Sequence, residues 1–266
     1  MDPDRALVDK HLRDRYRDYQ WREVTVGHSG SVVAHLTGPA DLHLKYGPDP
    51  LHPDPGYDIG AEYDRLRWMA AQGLPVPEVV ECDVFDGHTY LVATTVSGRD
   101  AASPWPAHER MRVIDAVADF ARDLHALSTT GCPFDRSLRV TVPNARVAVA
   151  LGQVDLDGAG PQQALTELDA ALRGNDTEDL VLTHGDYCLP NVLLDPETLT
   201  VTGVVDVGRF GLADRYTDLT TMAGSIDGPL NPQYTREHTD RFLWRYGLAR
   251  LDEAKAGFYG VLRRFM

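Results

Sequence analysis

Polar and apolar positions change rhythm once along this chain, near residue 95. Before that point they mostly alternate, as strands do; after it they recur at helical spacing. Residues 5–20 carry charges throughout, in the mixed pattern of a surface helix. WREVTVGHSGSVVAHLTGPADLHLKYG then alternates around Gly27 and Gly30 and turns at Gly38-Pro39, predicting a hairpin and a further strand ending in LHLKYG. HPDPGYDI is rich in breakers and reads as a linker. From Gly60, GAEYDRLRWMAAQG puts Leu66, Met69 and Ala70 on one helix face and stops at Gly73. LPVPEVVECDVFDGHTYLVATTV predicts two strands around an Asp86-Gly87 turn.

After SGRDAASPWP the pattern becomes helical. HERMRVIDAVADFARDLHAL places Val113, Ile114, Val117, Phe120, Ala121 and Leu124 at helical spacing, a long core helix. A second helix is expected over 161–173, then a loop, two short strands (NVLLD and VTGVVDVG) and helices to the end. The fold class is α+β: a small β-rich lobe over residues 1–95 joined to a larger, mainly helical lobe over 96–266.

Composition narrows the function. The 266 residues are 43% hydrophobic and 25% charged, an ordinary globular balance. No apolar run approaches the ~20 residues that span a bilayer, and MDPDRALVDKHLRDRY lacks the apolar stretch of a secretory signal. A cytoplasmic protein that does not engage membranes is expected. The net charge of −14 argues against nucleic-acid binding, which needs a basic surface, and favours cationic ligands. Cys82, Cys132 and Cys188 are too few and too far apart for a disulfide framework or a zinc site. Cys188 reads as a small buried residue rather than a nucleophile.

The candidate chemistry centres on HGDYCLPNVLLD, residues 184–195. Pro190 pushes Leu189 out of the helical region, so His184, Asp186 and Asn191 converge on a loop entering a strand. Fifteen residues after Asn191, Asp206 ends a hydrophobic strand in VTGVVDVGRFGLADRYTDLT. Asn191 and Asp206 are oxygen donors suited to Mg2+, and Asp186 could accept a proton from a substrate hydroxyl. HxDxxxxN followed by a strand-borne Asp is the phosphoryl-transfer constellation of kinase-like enzymes. Upstream, Gly27-His28-Ser29-Gly30-Ser31 reads either as a phosphate-capping hairpin tip or as an ordinary turn. Lys45 ends the next strand and Glu62 follows 17 residues later on a helix, the order of a phosphate-holding lysine and its glutamate partner. Lysine occurs only three times against 23 arginines, which singles out Lys45.

With these residues in place, the chain resembles the aminoglycoside phosphotransferases, especially the 3′-phosphotransferase (kanamycin kinase) branch. The resemblance rests on HGDYCLPNVLLD, VTGVVDVGRFGLADRYTDL, GLPVPEVVE, LHAL, CPFDRSL and RFLWRYGL…FYGVL, and it covers nearly the whole chain. It implies a protein-kinase-like two-lobed fold, ATP as donor and Mg2+ as metal. Under that resemblance Asp186 is the catalytic base, Asn191 and Asp206 hold the metal, and Lys45 and Glu62 order the phosphates. Ser29, Gly30 and Ser31 cap the phosphates, the backbone of Ala93 and Thr95 binds adenine, and Arg209 lies near the transferred phosphate. Asp214 and Asp218 are expected to brace loops rather than react.

The tail departs from that branch, whose members commonly end in Asp-Glu-aromatic-aromatic with acids that grip ammonium groups of the drug. Here it reads LRRFM, with Arg263, Arg264 and Met266 in the acceptor-binding stretch; Asp155, Asp157 and Asp227 are the remaining acids expected there. The implied activity is ATP-dependent transfer of the γ-phosphate to a hydroxyl of an aminoglycoside antibiotic, hence resistance by inactivation. The same chemistry on another hydroxyl compound and a nucleotide-binding pseudokinase are the alternatives. The expected partner is a small-molecule hydroxyl acceptor, with the chain a monomer or homodimer.

Overall fold

A computed structural model describes residues 3–24, 31–154, 158 and 160–266. The chain forms two units, Met1–Val96 and Ser97–Met266.

In the first unit, five antiparallel strands are ordered β1-β2-β3-β5-β4: β1 (Gln20–Val24), β2 (Val32–Thr37), β3 (Asp41–Pro48), β4 (Val79–Phe85) and β5 (His88–Thr94). The β4–β5 hairpin closes on Asp86 and Gly87, both at positive φ (49° and 71°), the two-residue turn that matches strand twist. Alternation sends Leu42, Leu44 and Tyr46 of β3 into a core with Ala34, Leu36, Tyr90 and Val92. Helix α1 (Pro3–Arg15) caps that core through Val8 and Leu12, with Tyr16 just beyond its end. The expected surface helix is therefore docked; its charges hide a single line of apolar residues at i, i+4, i+8. Lys45, one residue out of phase with the core set, belongs to the other face of β3.

Helix α2 (Ile59–Ala71) starts where Asp58 Oδ1 accepts the N–H groups of Gly60 (2.8 Å) and Ala61 (3.2 Å), an N-cap. Its buried face is Ile59, Glu62, Arg65, Leu66 and Met69. Ala70, expected on that face, is exposed. No helix of the described residues is long and apolar enough to cross a membrane.

The second unit comprises β6 (Arg99–Asp100), α3 (Arg110–His125), α4 (Leu138–Ala150), α5 (Pro161–Leu172), β7 (Leu180–Thr183), β8 (Val192–Leu194), β9 (Val201–Val204), β10 (Gly211–Asp214), α6 (Tyr216–Ile226), α7 (Arg236–Tyr246) and α8 (Glu253–Arg263). Its strands make two small antiparallel sheets, β6-β8-β9 and β10-β7. On α3 the buried face is Val113, Ile114, Val117, Ala118, Ala121, Leu124 and His125, while Phe120 is half-buried.

Helix α4 has no counterpart in the sequence reading. Pro143 lies inside it and removes a helical hydrogen bond. What holds it is tertiary: Leu138, Val142, Ala145 and Val149 pack with Ala164 and Leu168 of α5 and Phe258, Tyr259 and Leu262 of α8. Strand β9 stops at Val204, so Asp206 stands in a loop at φ +58° rather than at a strand end.

Candidate active site

Strand β7 delivers His184, which is fully buried. Its Nδ1 accepts the N–H of Asp186 (3.3 Å), which leaves the ring proton on Nε2 to donate to the Val205 carbonyl (3.0 Å). Between His184 and Asp186 the chain turns at Gly185, φ +85°. A side chain there would be strained by that angle and would collide with the Arg209 carbonyl. Two loops are thus pressed together, one carrying Asp186 and the other Asp206.

A 3₁₀ turn over Leu189–Asn191, with Pro190 inside it, then aims Asn191 back at the same loop. Asn191 Nδ2 donates to the Asp186 carbonyl (2.9 Å), and its own carbonyl accepts the Val205 N–H (3.0 Å). With Nδ2 so engaged, Oδ1 is what Asn191 can offer a ligand. Val205 is bonded from both sides, which fixes the backbone one residue before Asp206.

Beneath the loop lies Asp218 of α6, wholly buried. Oδ2 accepts the N–H of His184 (2.7 Å) and Oδ1 that of Gly185 (2.9 Å), while His125 Nε2 stands 3.1 Å from Oδ2. His125 is in turn 2.9 Å from the Tyr246 hydroxyl, which Arg215 reaches at 2.8 Å. Asp214, equally buried, accepts from the Asp179 and Tyr216 amides and from Lys255 Nζ (2.5 Å). Both aspartates brace loops. His125 carried no role in the sequence reading, although LHAL marked its neighbourhood. Asp218→Ala should cost about 3–5 kcal/mol, the effect of breaking a buried charge network, read from urea denaturation. A loss under about 1 kcal/mol would show that the loop is held by other means.

In the first unit Lys45 Nζ donates to Glu62 Oε2 at 2.7 Å, both side chains mostly buried. Ser31 is half-buried at the entrance to β2; Ser29 and Gly30 lie outside the described residues. Ala93 is paired in register with His43 and Val79 inside the sheet, and the Thr95 N–H is engaged by the Asp41 carbonyl (2.9 Å).

Of the acceptor-site residues, Asp155 and Asp157 lie outside the described residues and Asp227 is exposed at the end of α6. Arg263, in the last turn of α8, directs Nη2 toward Asp186 Oδ1 at 3.8 Å. Arg264 instead pairs with Glu167 of α5 (Nη1–Oε2 3.1 Å), and the Met266 thioether accepts from Arg136 Nη2 (3.4 Å) and packs on the α4–α5–α8 core. Arg263 and Arg264 thus diverge, because one residue along a helix turns the side chain by roughly 100°. Burial pushes the Cys188 thiol up to about 12, with the Asp186 charge adding to it, so it is no nucleophile at neutral pH.

Among the described residues no three His, Cys, Asp or Glu side chains gather into a metal cluster. A site built from Asn191 Oδ1 and Asp206 fits Mg2+, which keeps waters and takes phosphate oxygens beside one or two protein ligands.

Comparison with known proteins agrees with this geometry. The phosphotransferase enzyme family (APH) matches residues 20–254. An aminoglycoside 3′-phosphotransferase of Streptomyces fradiae is 42% identical over 270 residues, covering 97% of this chain and 100% of that protein. The crystal structure of aminoglycoside-3′-phosphotransferase of type VIII superposes with a TM-score of 0.89 at 39% identity, covering 99% of this chain and 100% of that one. The aminoglycoside phosphotransferase APH(3″)-Id from Streptomyces rimosus, in complex with ADP and streptomycin, gives 0.80 at 29% identity, covering 98% of each chain. This chain belongs to the aminoglycoside phosphotransferase family.

Proposed function

We propose that this chain transfers the γ-phosphate of ATP to a hydroxyl of an aminoglycoside antibiotic, inactivating the drug. The observation that carries the reading is the fastening of the Asp186 loop to the Asp206 loop through His184, Asn191 and Val205. It presents a candidate base and two candidate metal ligands from one rigid seat.

In this reading Asp186 takes the proton of the acceptor hydroxyl as its oxygen bonds to the γ-phosphorus and the bond to the ADP oxygen breaks. Asn191 holds the Asp186 backbone, and its Oδ1 and Asp206 would hold Mg2+. The metal would supply neutralisation of charge on the phosphate oxygens. Lys45, positioned by Glu62, holds the α- and β-phosphates, with backbone N–H groups around Ser29, Gly30 and Ser31 capping the phosphates. Arg209 is assigned to the transferred group in the same reading.

Lys45→Ala should lower kcat/KM for ATP by about 10–100-fold, the equivalent of ~1.5–3 kcal/mol for a charged hydrogen bond. An unchanged value would remove Lys45 from the phosphate site.

ADP release by the purified protein, measured against a panel of antibiotics, tests the function. Release that requires an aminoglycoside supports it. Release driven only by a different hydroxyl compound would favour the same chemistry on another acceptor, a reading to which the Arg263–Asp186 pair lends some weight. Nucleotide binding without release would indicate a pseudokinase.

A further inference from the structure

We infer that Arg263 is a specificity-determining residue: its guanidinium, set against Asp186, selects acceptors that carry no ammonium on the carbon beside the reacting hydroxyl. This rests on the reading of Asp186 as the base.

Three observations carry it. First, the position of Arg263 is fixed from below. Phe258, Tyr259, Leu262 and Phe265 are all buried in the α4–α5–α8 core, which sets the rotation of α8 and leaves Arg263 on its outer face. Second, the two tail arginines have parted. Arg264 is held by Glu167, whereas Arg263 has a carboxylate partner only in Asp186, among the described residues. Third, the pair is loose. At 3.8 Å, with half of the Arg263 side chain exposed, it is an ion pair without a hydrogen bond. An incoming hydroxyl can therefore reach the carboxylate without breaking a strong bond.

The consequence is electrostatic. A hydroxyl within hydrogen-bond reach of Asp186 brings the substituent on the neighbouring carbon close to the guanidinium. A hydroxyl there can accept a hydrogen bond from Arg263, while an ammonium meets a like charge. The net charge of −14 still draws cationic drugs to the protein. Arg263 discriminates among them after arrival, by where their ammonium groups lie.

The test is steady-state kinetics on two aminoglycosides that are identical except for a hydroxyl or an ammonium beside the phosphorylated hydroxyl. Wild type should favour the hydroxyl member by about tenfold in kcat/KM, mostly through KM, as expected for a partly screened like-charge contact. Arg263→Gln should bring the ratio within about threefold and Arg263→Lys should keep most of it, since the charge and not the shape discriminates. Raising the salt concentration should shrink the wild-type ratio and leave that of Arg263→Gln nearly flat. A ratio that Arg263→Gln leaves unchanged, or that Arg263→Lys abolishes as fully as Arg263→Gln, would overturn the inference. Asp186→Asn separates the two readings. If it stays active on both drugs, Asp186 is not the base and the inference falls with it; if it is inactive and the ratio still ignores Arg263, only the inference falls.

Discussion

Asp206→Ala should abolish phosphoryl transfer at any practical magnesium concentration, with a loss on the order of 10³-fold or more for removal of an electrostatic partner of the transition state. Asp206 sits two residues beyond the end of β9, at φ +58°, in the left-handed region that a side chain enters at a cost. Such strain, about 1–3 kcal/mol, persists only where neighbours impose it. The imposition is visible: Val205 is bonded through its N–H to Asn191 and through its carbonyl to His184. The same bonds tie Asp206 to the loop of Asp186 and Asn191, so one rigid unit presents all three groups. The side chain is exposed, so its removal should leave the fold intact, which circular dichroism and the melting temperature would verify. A folded Asp206→Ala protein that stays active with unaltered magnesium dependence would refute the metal assignment.

The second large effect belongs to Asp186→Asn, expected to cut turnover by about 10²–10⁴-fold, the range for loss of a general base. The substitution is gentle structurally. The Asp186 N–H to His184 and carbonyl to Asn191 Nδ2 are backbone contacts that survive the change. The carboxylate's own contacts, from Asn191 Nδ2 at 3.5 Å and Arg263 at 3.8 Å, are long. Nucleotide affinity, followed by calorimetry, should be retained while kcat falls. The acceptor KM should move less than kcat, because proton removal acts in the transition state. Turnover within about tenfold of wild type would exclude Asp186 from that role.

Much of this site was legible because its signals are local. Pro190 and the spacing of HGDYCLPN mark a loop, and the scarcity of lysine singles out Lys45, which the structure pairs with Glu62. Elements whose cause is tertiary were not legible. Helix α4 forms despite Pro143 because α5 and α8 bury its apolar face. Helix α1 docks through one line of apolar residues that its charges obscure. Strands β6, β7 and β10, two to four residues long, have no counterpart in the sequence reading, although β8 and β9 are as short and do. The tail shows the limit most clearly. Arg263 and Arg264 are equivalent as sequence, yet one faces Asp186 and the other Glu167, partners 77 and 97 residues distant. No pattern of neighbouring residues encodes that choice.

The most direct test is the covalent fate of the γ-phosphate. The purified protein would be incubated with ATP, Mg2+ and one aminoglycoside at a time, and each drug then examined by mass spectrometry and phosphorus NMR. The predicted result is a drug carrying one phosphate in ester linkage to a hydroxyl, formed in step with ADP and missing when Asp186→Asn replaces wild type. A folded, nucleotide-binding wild-type protein that leaves every aminoglycoside unmodified would contradict it.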